Sequence, residues 1–187
     1  MEKYAKLIEN KLEFYICPSH ITGSAVKIDA LNNGYKIFVP SYSQGSIVTY
    51  VENETEIKEV RKLTFEELKQ NKLNELMAYD SSEAVNQFSI GSDNMWLHKG
   101  ERVSIRLTLD AVISEGIEIH TLWDTTTGRS YTLPVESFVY MLMKLENYAY
   151  ACFNTTAQHS VNINNIENEA DLLAYDFTLN YPPKLKF

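Results

Sequence analysis

The sequence predicts an α+β protein: a small β-rich N-terminal module followed by a C-terminal domain of order β-β-α-β-β-α-α, with helices packed on an antiparallel sheet. Two observations carry this. Up to Leu63 the apolar residues alternate in short runs punctuated by Asn, Gly and Pro, the pattern of strands and turns. From Thr64 onward, helical periodicity alternates with hairpin patterns, which places helices against a small sheet. The boundaries that follow are a β-rich module over 1–63, a connector helix over 64–82 and an α+β domain over 83–187.

Within the module, residues 4–8 and 11–15 flank Glu9-Asn10 as a hairpin. Val26-Lys27-Ile28 and Tyr35 to Val39 read as short strands on either side of Asn32-Asn33-Gly34. Ile47 to Val51 is a strong strand that pairs with residues 56–63, so the module reads as a β meander. Thr64-Phe65-Glu66-Glu67 is a capping-box pattern, and Leu68, Leu73, Leu76 and Met77 give the helix behind it an apolar face ending near Tyr79 or Asp80.

Further on, Val85 to Ile90 and Asn94 to Leu97 flank Gly91-Ser92-Asp93 as a second hairpin. Lys99 to Ser114 has helical period through Ile105, Leu109, Val112 and Ile113, and Gly116 stops it. Ile117 to Trp123 and Arg129 to Leu133 form a third hairpin around residues 124–128. Pro134 opens a long helix, a place where its missing N–H costs nothing. Phe138, Met141, Leu142, Leu145, Tyr148, Ala149 and Cys152 form its buried stripe, which reaches toward Ile163. A short helix, Asn168 to Tyr175, precedes a Pro-Pro segment.

Composition narrows the function classes. The chain has 187 residues, 44% hydrophobic and 22% charged, which is ordinary for a folded protein of one or two domains. Its formal charge of −8 repels phosphate backbones, so nucleic acid is excluded as an expected partner. No apolar run approaches a membrane span, and residues 1–6 lack the apolar stretch of a signal peptide, so synthesis in the cytosol is expected. Two cysteines far apart make no disulfide framework. Twelve tyrosines, eight phenylalanines and two tryptophans supply the amphipathic aromatic surface that protein interfaces favour.

No catalytic or metal constellation stands out, and the chain is expected to need no cofactor. Cys152 and His159 lie seven apart on one helix, about 10.5 Å of rise, too far for a nucleophile and its base; they read as a core cysteine with a surface or interface histidine. Cys17 and His20 share a Pro-containing loop without an orienting acid. His20, His98, His120 and His159 show no paired metal-ligand spacing. The acids Glu52, Glu54, Glu56 and Glu59 read as a solvated face that guards a sheet edge. Trp96 and Trp123 each sit near the end of a hairpin strand. Leu97 and Leu122 beside them supply the opposite face, so the tryptophans read as core anchors, with docking of a partner or a sugar as the alternative.

Several motifs of the C-terminal half recur in order: Ala78-Tyr79-Asp80-Ser81-Ser82, Val85-Asn86-Gln87-Phe88, Met95-Trp96-Leu97 with Arg102, Leu122-Trp123, and Leu133-Pro134-Val135-Glu136. Leu145-Glu146-Asn147-Tyr148-Ala149 with Cys152, Thr156 and His159 follow, then Tyr175-Asp176-Phe177-Thr178 through Tyr181-Pro182 to Leu185 and Phe187. Together they resemble an uncharacterised domain found at the end of tail and tail-fibre-region proteins of tailed phages and prophages, especially those of gut Bacteroidales. The resemblance implies a non-enzymatic virion or tail-assembly protein, made in the host cytoplasm and acting in the tail, at the fibre or baseplate end. Other tail or fibre proteins and copies of itself are the expected partners. The family has no established catalytic residues, so it transfers no site. Trp96, Trp123, Tyr181, Pro182, Pro183 and Phe187 are the expected protein contacts, because a stiff Pro-Pro segment loses little entropy on docking and Phe187 can fill a partner's pocket. A fibre-assembly chaperone that leaves the virion, and a carbohydrate-binding or degrading tail module, are the rival readings.

Overall fold

A computed structural model describes residues 2–124 and 127–187. Met1, and Thr125 and Thr126 of the turn expected over 124–128, lie outside the described residues. The class is α+β. The chain divides into two compact units, Met1–Leu68 and Lys69–Phe187, so the boundary falls one turn inside the connector helix.

Unit 1 is a five-stranded sheet of order β2-β1-β3-β5-β4. Strands β1 (Lys3–Ile8) and β2 (Lys11–Phe14) meet through Glu9 and Asn10, both at positive φ, as a tight hairpin requires. Strand β3 (Lys36–Val39) runs antiparallel to β1 and parallel to β5 (Glu56–Lys62), while β4 (Ile47–Glu52) lies at the edge. The parallel pair makes this a mixed sheet rather than the expected meander. Ala5, Phe38 and Ile57 form its core, with Leu7, Leu12 and Tyr50 packed on them.

The expected strand at Val26–Ile28 is instead part of helix α1 (Ser24–Asn32). The Asn32-Asn33-Gly34 stretch, read above as a strand turn, is the helix stop. Gly34, at φ 78°, donates to Leu31 O, and the Tyr35 N–H reaches back to Ala30 O, the paired bonds of a glycine-ended helix. Alternation over three residues could not outweigh that cap.

Helix α2 (Phe65–Asp80) starts with the predicted capping box: Thr64 Oγ1 accepts from the Glu67 N–H at 3.2 Å, and Glu67 Oε2 accepts from the Thr64 N–H at 2.7 Å. Unit 2 takes over at Lys69. Ser82 caps a single turn, α3 (Glu83–Asn86), so strand β6 (Phe88–Ile90) begins later than the alternation from Val85 predicts. Strand β7 (Asp93–Met95), helix α4 (Lys99–Ser114), strands β8 (Ile119–Asp124) and β9 (Arg129–Pro134), helix α5 (Val135–Asn165) and helix α6 (Glu169–Ala174) follow in the predicted order.

The strands of unit 2 form two separate hairpins, β6-β7 and β8-β9, rather than one antiparallel sheet. Their three-residue and six-residue ladders are joined through a side chain: the Asp93 carboxylate accepts from Arg129 and, at 3.2 Å, from the Tyr131 hydroxyl. The core lies between these hairpins and α4 and α5, with Phe88, Met95, Leu97, Leu109, Leu122 and Phe138 at its centre. Full burial of Phe138 and Leu109 gives roughly 1.5–3 kcal/mol for each side chain.

Residues 175–187 bind back onto unit 2. Tyr181 packs on Tyr79 at 5.5 Å and donates to Thr156 Oγ1, whose own proton goes to Asp80 Oδ1 at 2.6 Å. Lys184 Nζ donates to Glu83 O, and Lys186 forms a parallel bridge with Ser89. Phe187 exchanges backbone bonds with Ser89 and Gly91 and sets its ring edge-on to Phe88 at 5.9 Å.

Candidate functional site

The two tryptophans open on one cleft. Met95 and Leu97 are buried, so Trp96 between them faces the other way; Leu122 is buried, so Trp123 beside it does too. Trp123 is 64% exposed and Trp96 half-buried, and neither belongs to the core. The core-anchor reading is therefore corrected, by the same alternation that prompted it. With the hairpins joined through Asp93, both indoles line a cavity of about 390 Å³ with Gln87, Asn94, His98 and Glu101. The imidazole of His98 lies 4.7 Å from the Trp96 ring. Glu101 Oε2 accepts from the His98 N–H at 2.6 Å, which caps α4 and fixes the cleft wall. Asp124, at the far end, accepts from the Thr127 N–H and hydroxyl.

Of the other expected contact residues, Tyr181, Pro182 and Phe187 are half-buried against unit 2, and Pro183 is exposed. Phe187 fills a place in its own unit and is not free to enter a partner's pocket. The structure brings Trp96 and Trp123 together and sets the other four elsewhere. Asp93, which joins the hairpins, and the cleft amides Gln87 and Asn94 were missed. The signal for the cleft is the buried apolar neighbour beside each tryptophan, Met95 and Leu97 about Trp96 and Leu122 before Trp123.

His159 is buried rather than a surface residue. Its Nε2 lies 2.8 Å from Leu179 O, which can only accept, so Nε2 carries the proton; Nδ1 then accepts from the Tyr175 hydroxyl at 2.7 Å. Asn162 Nδ2 donates to the same hydroxyl at 3.0 Å. Both imidazole nitrogens are thus held by residues of the closing segment, and the histidine acts as a clamp. Burial pushes the Cys152 thiol up from its ordinary pKa, which keeps it protonated and weakly nucleophilic. Cys17 is exposed, with Sγ 3.3 Å from Ile21 O. Among the described residues no cluster of His, Cys, Asp and Glu could hold a metal ion, and no helix is long and apolar enough to cross a membrane.

Helix α5 carries a second apolar face. Phe138, Leu142, Leu145, Ala149, Cys152, Thr156, His159 and Ile163 recur in steps of four and three on its covered side. On the opposite side Tyr140, Met143, Asn147, Tyr150, Asn154, Ala157 and Val161 recur in steps of three and four, all exposed and none charged. Tyr150 is 69% and adjacent Phe153 65% exposed. Across a groove of about 340 Å³, α4 adds exposed Val103 and Leu107 beside Met143.

No family model, no curated protein and no solved structure matches the chain.

Proposed function

We propose that this chain is a non-enzymatic structural or assembly part of a tailed-phage virion, in the tail, tail-fibre or baseplate region, working through protein–protein contacts that include copies of itself. The outer face of α5 carries the reading. A helix that is apolar on two opposite sides needs cover on both. A chain of net charge −8 meets its own copy best through a strip without charge. The exposed parts of Tyr140, Met143, Tyr150, Phe153 and Val161 offer roughly 500–600 Å² per copy, so two copies bury at most about 1,000 Å², the lower bound of a specific interface. In a parallel pairing Asn147 and Asn154 each meet their own counterparts, and polar residues at such positions set register and copy number. The phage assignment rests on the ordered C-terminal motifs.

Light scattering on the full chain is expected to give a mass above the 21.5 kDa of one copy, and Tyr150→Glu with Phe153→Glu to return it to that value without loss of helix. A monomer at every concentration sinks the self-association. Mass spectrometry of purified particles tests the rest. A chain found in them is a virion part; a chain bound to fibres in the lysate and absent from particles is an assembly chaperone. Detection in neither removes the phage reading.

A further inference from the structure

We propose that the cleft between the two hairpins binds a neutral saccharide through Trp96 and Trp123. This goes beyond the assembly reading and rests on a different part of unit 2. The cavity, about 390 Å³, lies within the range of small-molecule sites, roughly 300–1,000 Å³. Its two indoles present electron-rich faces, which attract the polarised C–H bonds on the flat side of a pyranose ring. Asn94 adds a planar amide that donates and accepts side by side, the arrangement that reads a pair of adjacent hydroxyls, and Gln87 adds its amide N–H, its oxygen accepting from Lys184 at 3.5 Å. Buried Met95 and Leu97 form a firm floor, and the Asp93 links to Arg129 and Tyr131 hold the two walls in register before any ligand arrives.

Charge selects the class of sugar. Glu83, Glu101 and Asp124 line the cavity, and among the described residues its lining holds no lysine or arginine. Lys184 Nζ stands beside it, engaged by Glu83 O and Gln87 Oε1, so the negative lining outweighs it and sialic acids, uronic acids and phosphates are repelled. A cation over the indoles is the competing occupant, since aromatic faces and carboxylates attract one. The carboxylates do not argue against it, since Glu101 and Asp124 keep their charge while accepting bonds from their own chain. The amides of the lining are what favour a sugar, and choline in the titration decides between the two.

Trp96 and Trp123 are the only tryptophans in the chain, so intrinsic tryptophan emission reports on this cleft alone. The full chain is titrated with the methyl glycosides of glucose, galactose, mannose and N-acetylglucosamine, with N-acetylneuraminic acid as the anionic probe and choline as the cationic one. A saturable change in emission with at least one neutral glycoside, and none with the two charged probes, is expected. Trp123→Ala, at an exposed position, keeps the thermal midpoint and weakens binding about tenfold, while Trp123→Phe retains an aromatic face and most of the affinity. The proposal is overturned if no neutral glycoside moves either the emission or the indole N–H resonances at tens of millimolar. It is overturned as well if only choline or N-acetylneuraminic acid binds, or if a folded Trp123→Ala binds as well as the parent.

Discussion

In unit 1 the clustered core is only Ala5, Phe38 and Ile57 on a five-stranded sheet, whereas unit 2 gathers Phe88, Met95, Leu97, Leu109, Leu122 and the covered side of α5 around two short hairpins. The first is held by backbone ladders, a glycine-ended helix and one close approach of chain to chain. The second is held by side-chain volume, with buried polar clamps where its closing segment docks. The difference teaches where each unit is vulnerable. A sheet with a small core fails through its backbone, and a helix-centred core fails through its cavities.

The largest expected effect is therefore in unit 2. Phe138 is fully buried at the centre of the core, and Phe138→Ala is expected to cost about 3–5 kcal/mol. Both tryptophans belong to unit 2, so tryptophan emission followed in urea reads this loss directly. Tyr150→Ala, on the opposite side of the same helix, is the control and should change single-chain stability by less than about 0.5 kcal/mol. Equal losses at the two positions would break the assignment of a covered and an uncovered face.

Next comes the backbone of unit 1. Gly45 sits at φ 140°, and a Cβ there would lie 2.2 Å from the Lys62 carbonyl oxygen. Neither the conformation nor the contact tolerates a side chain, and Lys62 belongs to the strand paired with β4. Gly45→Ala is expected to raise amide exchange across β4 and β5 by at least about tenfold, the equivalent of roughly 1.4 kcal/mol. Unchanged protection there would show that the close approach is relaxed in solution and that unit 1 does not depend on it.

The clamp of unit 2 ranks third. His159→Ala leaves Leu179 O without its donor and the Tyr175 hydroxyl proton without its acceptor, while Asn162 still donates to that hydroxyl, a cost of about 1–3 kcal/mol. Exchange should rise over residues 175–187 first, with the amides of α4 still protected. Uniform loss across unit 2 would mean that His159 supports the whole core rather than the docked segment.

The sequence was most legible where one signal decided an element by itself. Thr64 and Glu67 marked the start of α2, and residues 99–114 with Gly116 bounded α4, because caps and helical periods are local. It misled where two readings of one stretch competed. Val26-Lys27-Ile28 alternates like a strand, yet Gly34 and the bonds behind it make a helix end. Residues 56–62 form the strand their pattern predicts, but nothing local says that β5 lies parallel to β3. The cleft shows the same limit: both tryptophans were singled out, and their alternation was noted, but which side of a hairpin faces the core depends on partners distant in sequence. Asp93, Gln87 and Asn94 were unreadable for that reason. His159 lies on the helix as expected but is buried within its own unit rather than at a surface or interface, since its partners arrive from residues 175–179.

The smallest effect concerns the start of α2, where unit 1 depends on a charge rather than on packing. Glu67 accepts from the Ser46 hydroxyl and from the Thr64 N–H, and these bonds, the Ser46 hydroxyl foremost, lower its pKa from 4.5 to about 2. A carboxylate whose folded pKa lies below its unfolded value stabilises the fold above the unfolded value. Between pH 4.5 and about 2 the unfolded chain binds the extra proton, so this contribution falls as pH drops through that window and is gone below it. Glu67→Ala should therefore loosen the first turn of α2 at pH 7 and differ progressively less from the parent as pH approaches 2. Amide exchange at Glu67 and Leu68, compared between the two proteins across that range, measures it. A gap between them that stays constant down to pH 2 would assign the effect to the lost side chain alone and remove the charge from the account.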